Sequence, residues 1–85
     1  MELTKTEKMY LKQVNRLEAS ARRGLLSNTE AYDRMIGYDE AIKDNGLNTE
    51  KIDCMFHHLA YILVGSPDQK KASSIILKTF TELSK

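Results

Sequence analysis

The chain has 85 residues, 41% of them hydrophobic, with 13 Lys plus Arg against 12 Asp plus Glu. Near-balanced charge with this apolar content excludes a disordered charged tail, and the length allows one small domain, residues 1–85, built on one core. Cys54 is the sole cysteine, so an internal disulfide framework is excluded and a reduced intracellular thiol is the simplest reading.

In chain order, the first helix is expected over approximately 5–24. Thr4 and Glu7 have capping-box spacing, and Tyr10, Val14, Leu17 and Ala21 recur at steps of four and three. Arg22, Arg23 and Gly24 close it, the cations suiting the carbonyl end of the helix dipole and glycine the left-handed turn. A second helix over 28–44 repeats the capping box with Ser27 and Glu30, carries Ala31, Met35, Tyr38 and Ile42 as its stripe with Ile36 alongside, and exits at Asn45-Gly46.

The third helix, over 49–64, holds the one markedly apolar run, Ile52 to Val64. Asn48 is read as its cap, with Leu47 packing on Ile52 as a hydrophobic staple. At about 100° per residue, Ile52, Met55, Phe56, Leu59, Ile62 and Leu63 fall in one core-facing sector. Cys54, His57, His58 and Tyr61 lie outside it, on a far side that is only half polar. Aromatic and mildly polar residues without Lys or Glu favour interface centres, so these four are the candidate protein interface, against the plainer reading that other helices of the same chain cover them.

Ser66-Pro67-Asp68-Gln69 supplies cap, first-turn proline, dipole-matching acid and capping-box partner in succession, which starts a fourth helix over 67–83. Its expected apolar positions are Ala72, Ile75, Ile76, Phe80 and Leu83. With one proline and no strand-like alternation, the fold class is all-α, a compact four-helix bundle or orthogonal helical array.

Charge is unevenly spread: residues 1–26 carry net +3, residues 27–47 net −3, residues 48–65 net −1 and residues 66–85 net +2. Opposite signs favour pairing of the first two helices, at about 0.2 to 1 kcal/mol per exposed pair. Lys5, Lys8, Lys12 and Arg16 follow helical spacing and form a candidate basic patch for phosphate or an acidic partner, against the plainer reading of a solvated face.

Residues 40–52 have the outline of a helix-turn-helix around Gly46, yet the second helix opens with Glu50, Lys51 and Asp53, whose carboxylates repel phosphate. Asp53 with His57, and Cys54 with His58, are i, i+4 pairs able to share a metal ion, but a structural zinc site needs four ligands. No glycine-rich phosphate loop or catalytic frame accompanies them, so neither an enzyme nor a cofactor is expected. The apolar run is too short for the roughly 20 residues that span a bilayer, and the first residues lack the layout of a secretory signal, so a cytoplasmic protein is expected.

These features indicate a small non-enzymatic helical protein-binding module, a regulator, adaptor or inhibitor of a protein partner, with homodimeric self-association included. In size it is like small immunity proteins and phage-encoded inhibitors of host machinery, an analogy of scale that extends to a phage or mobile-element origin but rests on no motif. The alternative is a helix-turn-helix-like nucleic-acid-binding transcriptional regulator. No membrane partner or small-molecule substrate is expected.

Overall fold

The computed structural model describes residues 2–84. Four α-helices follow one another, α1 Lys5–Arg22, α2 Asn28–Asp44, α3 Glu50–Val64 and α4 Pro67–Leu83, an all-α array as the sequence leads one to expect. Three of the four starts are reciprocal capping boxes. At α1 the Thr4 amide donates to Glu7 Oε1 at 2.8 Å while the Glu7 amide donates to Thr4 Oγ1 at 3.1 Å. Ser27 with Glu30 and Ser66 with Gln69 repeat the exchange. Each cap satisfies amides that have no intrahelical partner and contributes about 1 kcal/mol.

The start of α3 differs from expectation. Its cap is Thr49, whose hydroxyl accepts from the Ile52 amide at 3.3 Å, and not Asn48. The reason lies in α1: the same hydroxyl donates to Glu7 Oε2 at 2.7 Å, so one buried carboxylate caps α1 with one oxygen and fastens the start of α3 with the other. Asn48 instead donates from its side-chain amide to Asp53 Oδ1 at 3.1 Å. With the cap moved by one residue, the staple positions pass from Leu47 and Ile52 to Asn48 and Asp53, and Leu47 is 47% exposed while Ile52 is fully buried.

The helix ends also have a local chemistry. Gly24 takes φ +76°, and the amides of Leu25 and Gly24 donate to the carbonyls of Ser20 and Ala21, a Schellman turn that stops α1 at Arg22 rather than at 24. The α2 exit at Gly46 has the same pattern, with the amides of Leu47 and Gly46 donating to Ile42 and Lys43.

The core gathers on α3, which packs against each of the other helices. Ile52, Met55 and Leu59 are fully buried and Leu63 nearly so, whereas Phe56 and Ile62 are half-buried at the edges of the expected sector. From α1 come Tyr10, Leu11, Val14 and Leu17, and from α2 come Ala31, Met35 and Ile42. Tyr38 is half-buried against Tyr10, with ring centroids 5.5 Å apart. The buried position beside it belongs to Asp39, which accepts from the Tyr10 hydroxyl at 2.8 Å. This buried hydrogen bond joins α1 to α2; the ion pairs Arg22–Glu18 and Lys43–Asp39 each lie within one helix.

α4 buries only part of the expected stripe: Phe80 is buried and Ile76 half-buried against the core, but Ala72, Ile75 and Leu83 are not. Ser73, Leu77 and Phe80 face the core, while Ala72 is exposed, Ile75 is 59% exposed and Leu83 is 40% exposed. The helix is turned by less than one residue's step of about 100° from the orientation that would hide most apolar surface, its buried side centred on Ser73, Leu77 and Phe80. Ser73 occupies the buried place because His58 on α3 supplies its hydrogen-bond partner, with Nδ1 2.9 Å from Ser73 Oγ.

Candidate protein-binding face

The rotation of α4 decides where the four candidate interface residues lie. Towards α2, Phe56 covers one flank of α3 by packing on Tyr32, with ring centroids 6.1 Å apart. On the opposite flank, Cys54 and His58 line a groove of about 330 Å³ whose other wall is Ile76, Thr79, Phe80 and Leu83 of α4. Tyr61 is exposed, its ring 6.2 Å from that of His58. His57 is exposed and points elsewhere: its ring stands edge-on to Phe56 and its Nδ1 is 2.8 Å from the Asp53 carbonyl oxygen.

Two of the four residues, Cys54 and His58, therefore line one groove; Tyr61 adjoins it through His58, and His57 does not. The sequence reading missed the α4 half of this face. Its signal was present in Ser73, Leu77 and Phe80, a second helical stripe at steps of four and three that competes with the more apolar one.

Lining and adjoining side chains make the face apolar. Among the described residues, no Asp, Glu, Lys or Arg lines the groove, and Ala72 and Ile75 extend its α4 side by helical spacing. Burial pushes the Cys54 thiol up from its ordinary pKa, which lowers its thiolate fraction at neutral pH. Burial, and then the neighbouring His57, push His58 down, so the neutral imidazole predominates beside Ser73. The groove is thus lined by uncharged forms near neutral pH.

The other sequence candidates are dispersed. Lys5, Lys8, Lys12 and Arg16 are all exposed on α1, where Lys12 and Arg16 border a shallow depression with Met9, Gln13 and Tyr38. At the helix-turn-helix-like corner of residues 40–52, Thr49 is held by Glu7, and Lys51 Nζ donates to the Glu2 carbonyl at 3.2 Å, so two polar groups of the would-be recognition helix are engaged by the N-terminal segment. The Asp53 carboxylate receives Asn48, while His57 Nδ1 meets the Asp53 carbonyl oxygen and not its carboxylate. Among the described residues, no three His, Cys, Asp or Glu side chains are grouped as ligands for a metal ion, and no helix is long and apolar enough to cross a membrane.

A second depression, of about 300 Å³, lies between α1 and α4, where Asn15 donates to Thr81 Oγ1 at 3.0 Å and Arg22 pairs with Glu18. Its polar walls are largely paired with one another, which sets it apart from the uncharged α3–α4 groove. Compared with protein-family models, curated proteins and solved structures, the chain matches none.

Proposed function

We propose that the chain is a non-enzymatic protein-binding module, a regulator, adaptor or inhibitor, that works through the outer α3–α4 face. The observation that carries this reading is the orientation of α4: it buries Ser73 and presents Ile75 and Leu83 to solvent beside an apolar groove. A small domain gains stability by hiding apolar surface, and an uncovered uncharged groove with the exposed Tyr61 ring next to its His58 supports recognition of another protein surface.

Affinity capture with the intact chain, compared with Ile75→Glu and Tyr61→Glu, tests it. Both positions are exposed, so the variants are expected to melt as the parent does while losing the captured protein. Unchanged capture by both variants would remove the α3–α4 face from the function. The exposed row Lys5, Lys8, Lys12 and Arg16 supports the second reading, nucleic-acid binding, at α1 rather than at the corner. Duplex-DNA binding that falls steeply with salt, and that is lost on reversing these cations, is the result that would put it first.

A further inference from the structure

We infer that the cleft between α1 and α4 is a second binding site, one for a small carboxylate that carries an apolar body. The site goes beyond the proposed function and does not depend on the α3–α4 face.

Its walls are two helical stripes. Asn15, Glu18 and Arg22 of α1 follow steps of three and four, and Ser74, Lys78 and Thr81 of α4 follow steps of four and three. Each stripe is about 10 Å long at the rise of an α-helix. Leu77, which is buried, and Ile62 of α3, which is half-buried, form the apolar floor. Among the described residues one hydrogen bond crosses from α1 to α4, Asn15 to Thr81 at 3.0 Å, and about 300 Å³ stays open beside it. That volume is at the lower end of small-molecule pockets.

The pairs within the walls leave over groups that suit an anion. Thr81 is used twice, accepting from Asn15 and donating to the Leu77 carbonyl at 3.0 Å. Ser74, on the same stripe, is half-buried, and its hydroxyl has no partner among the described residues. Lys78 has no ion-pair partner among them; Glu82, one turn further on, lies outside the lining and is already engaged. Arg22 meets Glu18 through Nε at 3.3 Å. A planar pairing with a carboxylate occupies two of the five guanidinium N–H groups, so others remain for a ligand.

Charge sets the class of ligand. Arg22 and Lys78 against Glu18 leave the lining at net +1, which a single negative charge neutralises, while Glu18 opposes a second. A carboxylate brings one charge and the flat pair of acceptors that a guanidinium binds, with Lys78 and Ser74 as further donors. Its apolar body then covers Ile62 and Leu77, which a bare anion would leave in water. The walls also belong to the two segments of net positive charge, residues 1–26 and 66–85, whose field draws an anion towards the cleft.

NMR titration of the isotope-labelled full chain with phenylpropionate tests the inference. Phenylpropanamide, which lacks the charge, and acetate, which lacks the apolar body, are the comparison probes. Saturable shifts of the Asn15, Ser74 and Lys78 amides are expected, with a dissociation constant of about 1 mM for a ligand of this size. Both comparison probes are expected to bind about tenfold more weakly or less. Lys78→Gln and Arg22→Gln are each expected to weaken phenylpropionate about threefold, whereas Lys5→Gln, on the exposed α1 row, leaves it unchanged. All three positions are exposed, so the variants are expected to melt as the parent does. No saturable shift at these amides, equal binding of the amide or of acetate, or a loss in Lys78→Gln no greater than in Lys5→Gln would each overturn it. Shifts confined to Cys54, His58 and Phe80 would place the ligand in the α3–α4 groove and overturn it as well.

Discussion

His58 Nδ1 lies 2.9 Å from Ser73 Oγ, and this bond between α3 and α4 accompanies the choice of which face of α4 is hidden. Ser73 is 2% exposed, and a hydroxyl buried that deeply without a partner would cost more than an exposed one. With His58 opposite, Ser73 is satisfied, and Leu77 and Phe80 follow it inward at helical spacing.

Ser73→Ala is therefore expected to destabilise the fold by about 1 kcal/mol, the net worth of a hydrogen bond plus the cost of leaving His58 without its partner. In a domain of this size that is a fall in melting temperature of about 4 to 8 °C. Combining it with His58→Ala gives a double-mutant cycle. A coupling near zero would show that the bond does not hold α4 in its orientation.

Glu7 ties two helix starts together, and its protonation should be legible in stability. Burial alone raises its pKa, but the Thr4 amide, the Thr49 hydroxyl and the charge of Lys51 outweigh burial and hold it below its ordinary 4.5. The unfolded chain then binds a proton before the folded one does. The stabilisation is fully present above about 4.5 and is lost as pH falls through the lower folded-state value. Urea unfolding from pH 3 to 7 should show this loss, and Glu7→Gln should flatten it while lowering stability at the upper end. His58 acts in a separate window: its folded-state pKa is lowered from 6.5 by burial first and His57 second, so its contribution is lost as pH falls from there. Identical pH profiles for the parent and Glu7→Gln would remove Glu7 from this account.

The helix frame was readable because caps are local: Thr4 with Glu7, Ser27 with Glu30 and Ser66 with Gln69 each lie three residues apart. What escaped the local pattern depends on polar partners distant in sequence. Thr49 takes the cap from Asn48 because Glu7, forty-two positions away, accepts its hydroxyl. Asp39 displaces Tyr38 from the buried stripe because Tyr10 reaches it from α1. α4 turns because His58 faces Ser73. The candidate site was legible to the same extent: Cys54, His58 and Tyr61 stand out from the α3 wheel alone, but their opposite wall depends on the phase of α4, which a single-helix wheel does not contain.

Tyr10→Phe isolates the α1–α2 link. The substitution keeps the ring in place against Tyr38 and removes the hydroxyl that donates 2.8 Å to Asp39 Oδ1, while Lys43 keeps its 3.0 Å contact with Oδ2. A hydrogen bond to a charged acceptor contributes about 1.5 to 3 kcal/mol, so a loss in this range is expected in denaturant unfolding with the slope unchanged. A loss below about 0.5 kcal/mol would mean that Asp39 is satisfied without α1.

Two glycine-to-alanine exchanges should move stability in opposite directions. At Gly65 the backbone has φ −87°, which alanine accepts, so conformational freedom is not the reason for glycine there. The reason is space: a Cβ would stand 2.5 Å from the Tyr61 carbonyl oxygen and 2.9 Å from Gln69 Oε1. The first accepts the Gly65 amide that ends α3, and the second accepts the Ser66 amide that begins α4. Gln69 can swing away but the carbonyl cannot without opening the end of α3, so Gly65→Ala is expected to cost about 1 to 3 kcal/mol. Gly37 is exposed in the middle of α2, where an added Cβ would meet nothing within 4 Å, and Gly37→Ala is expected to stabilise by about 0.5 to 1 kcal/mol through helix propensity. Melting curves of the two variants decide the point: a neutral Gly65→Ala would show that the α3–α4 turn yields, and with it that the placement of α4 owes more to His58 and Ser73 than to the connection.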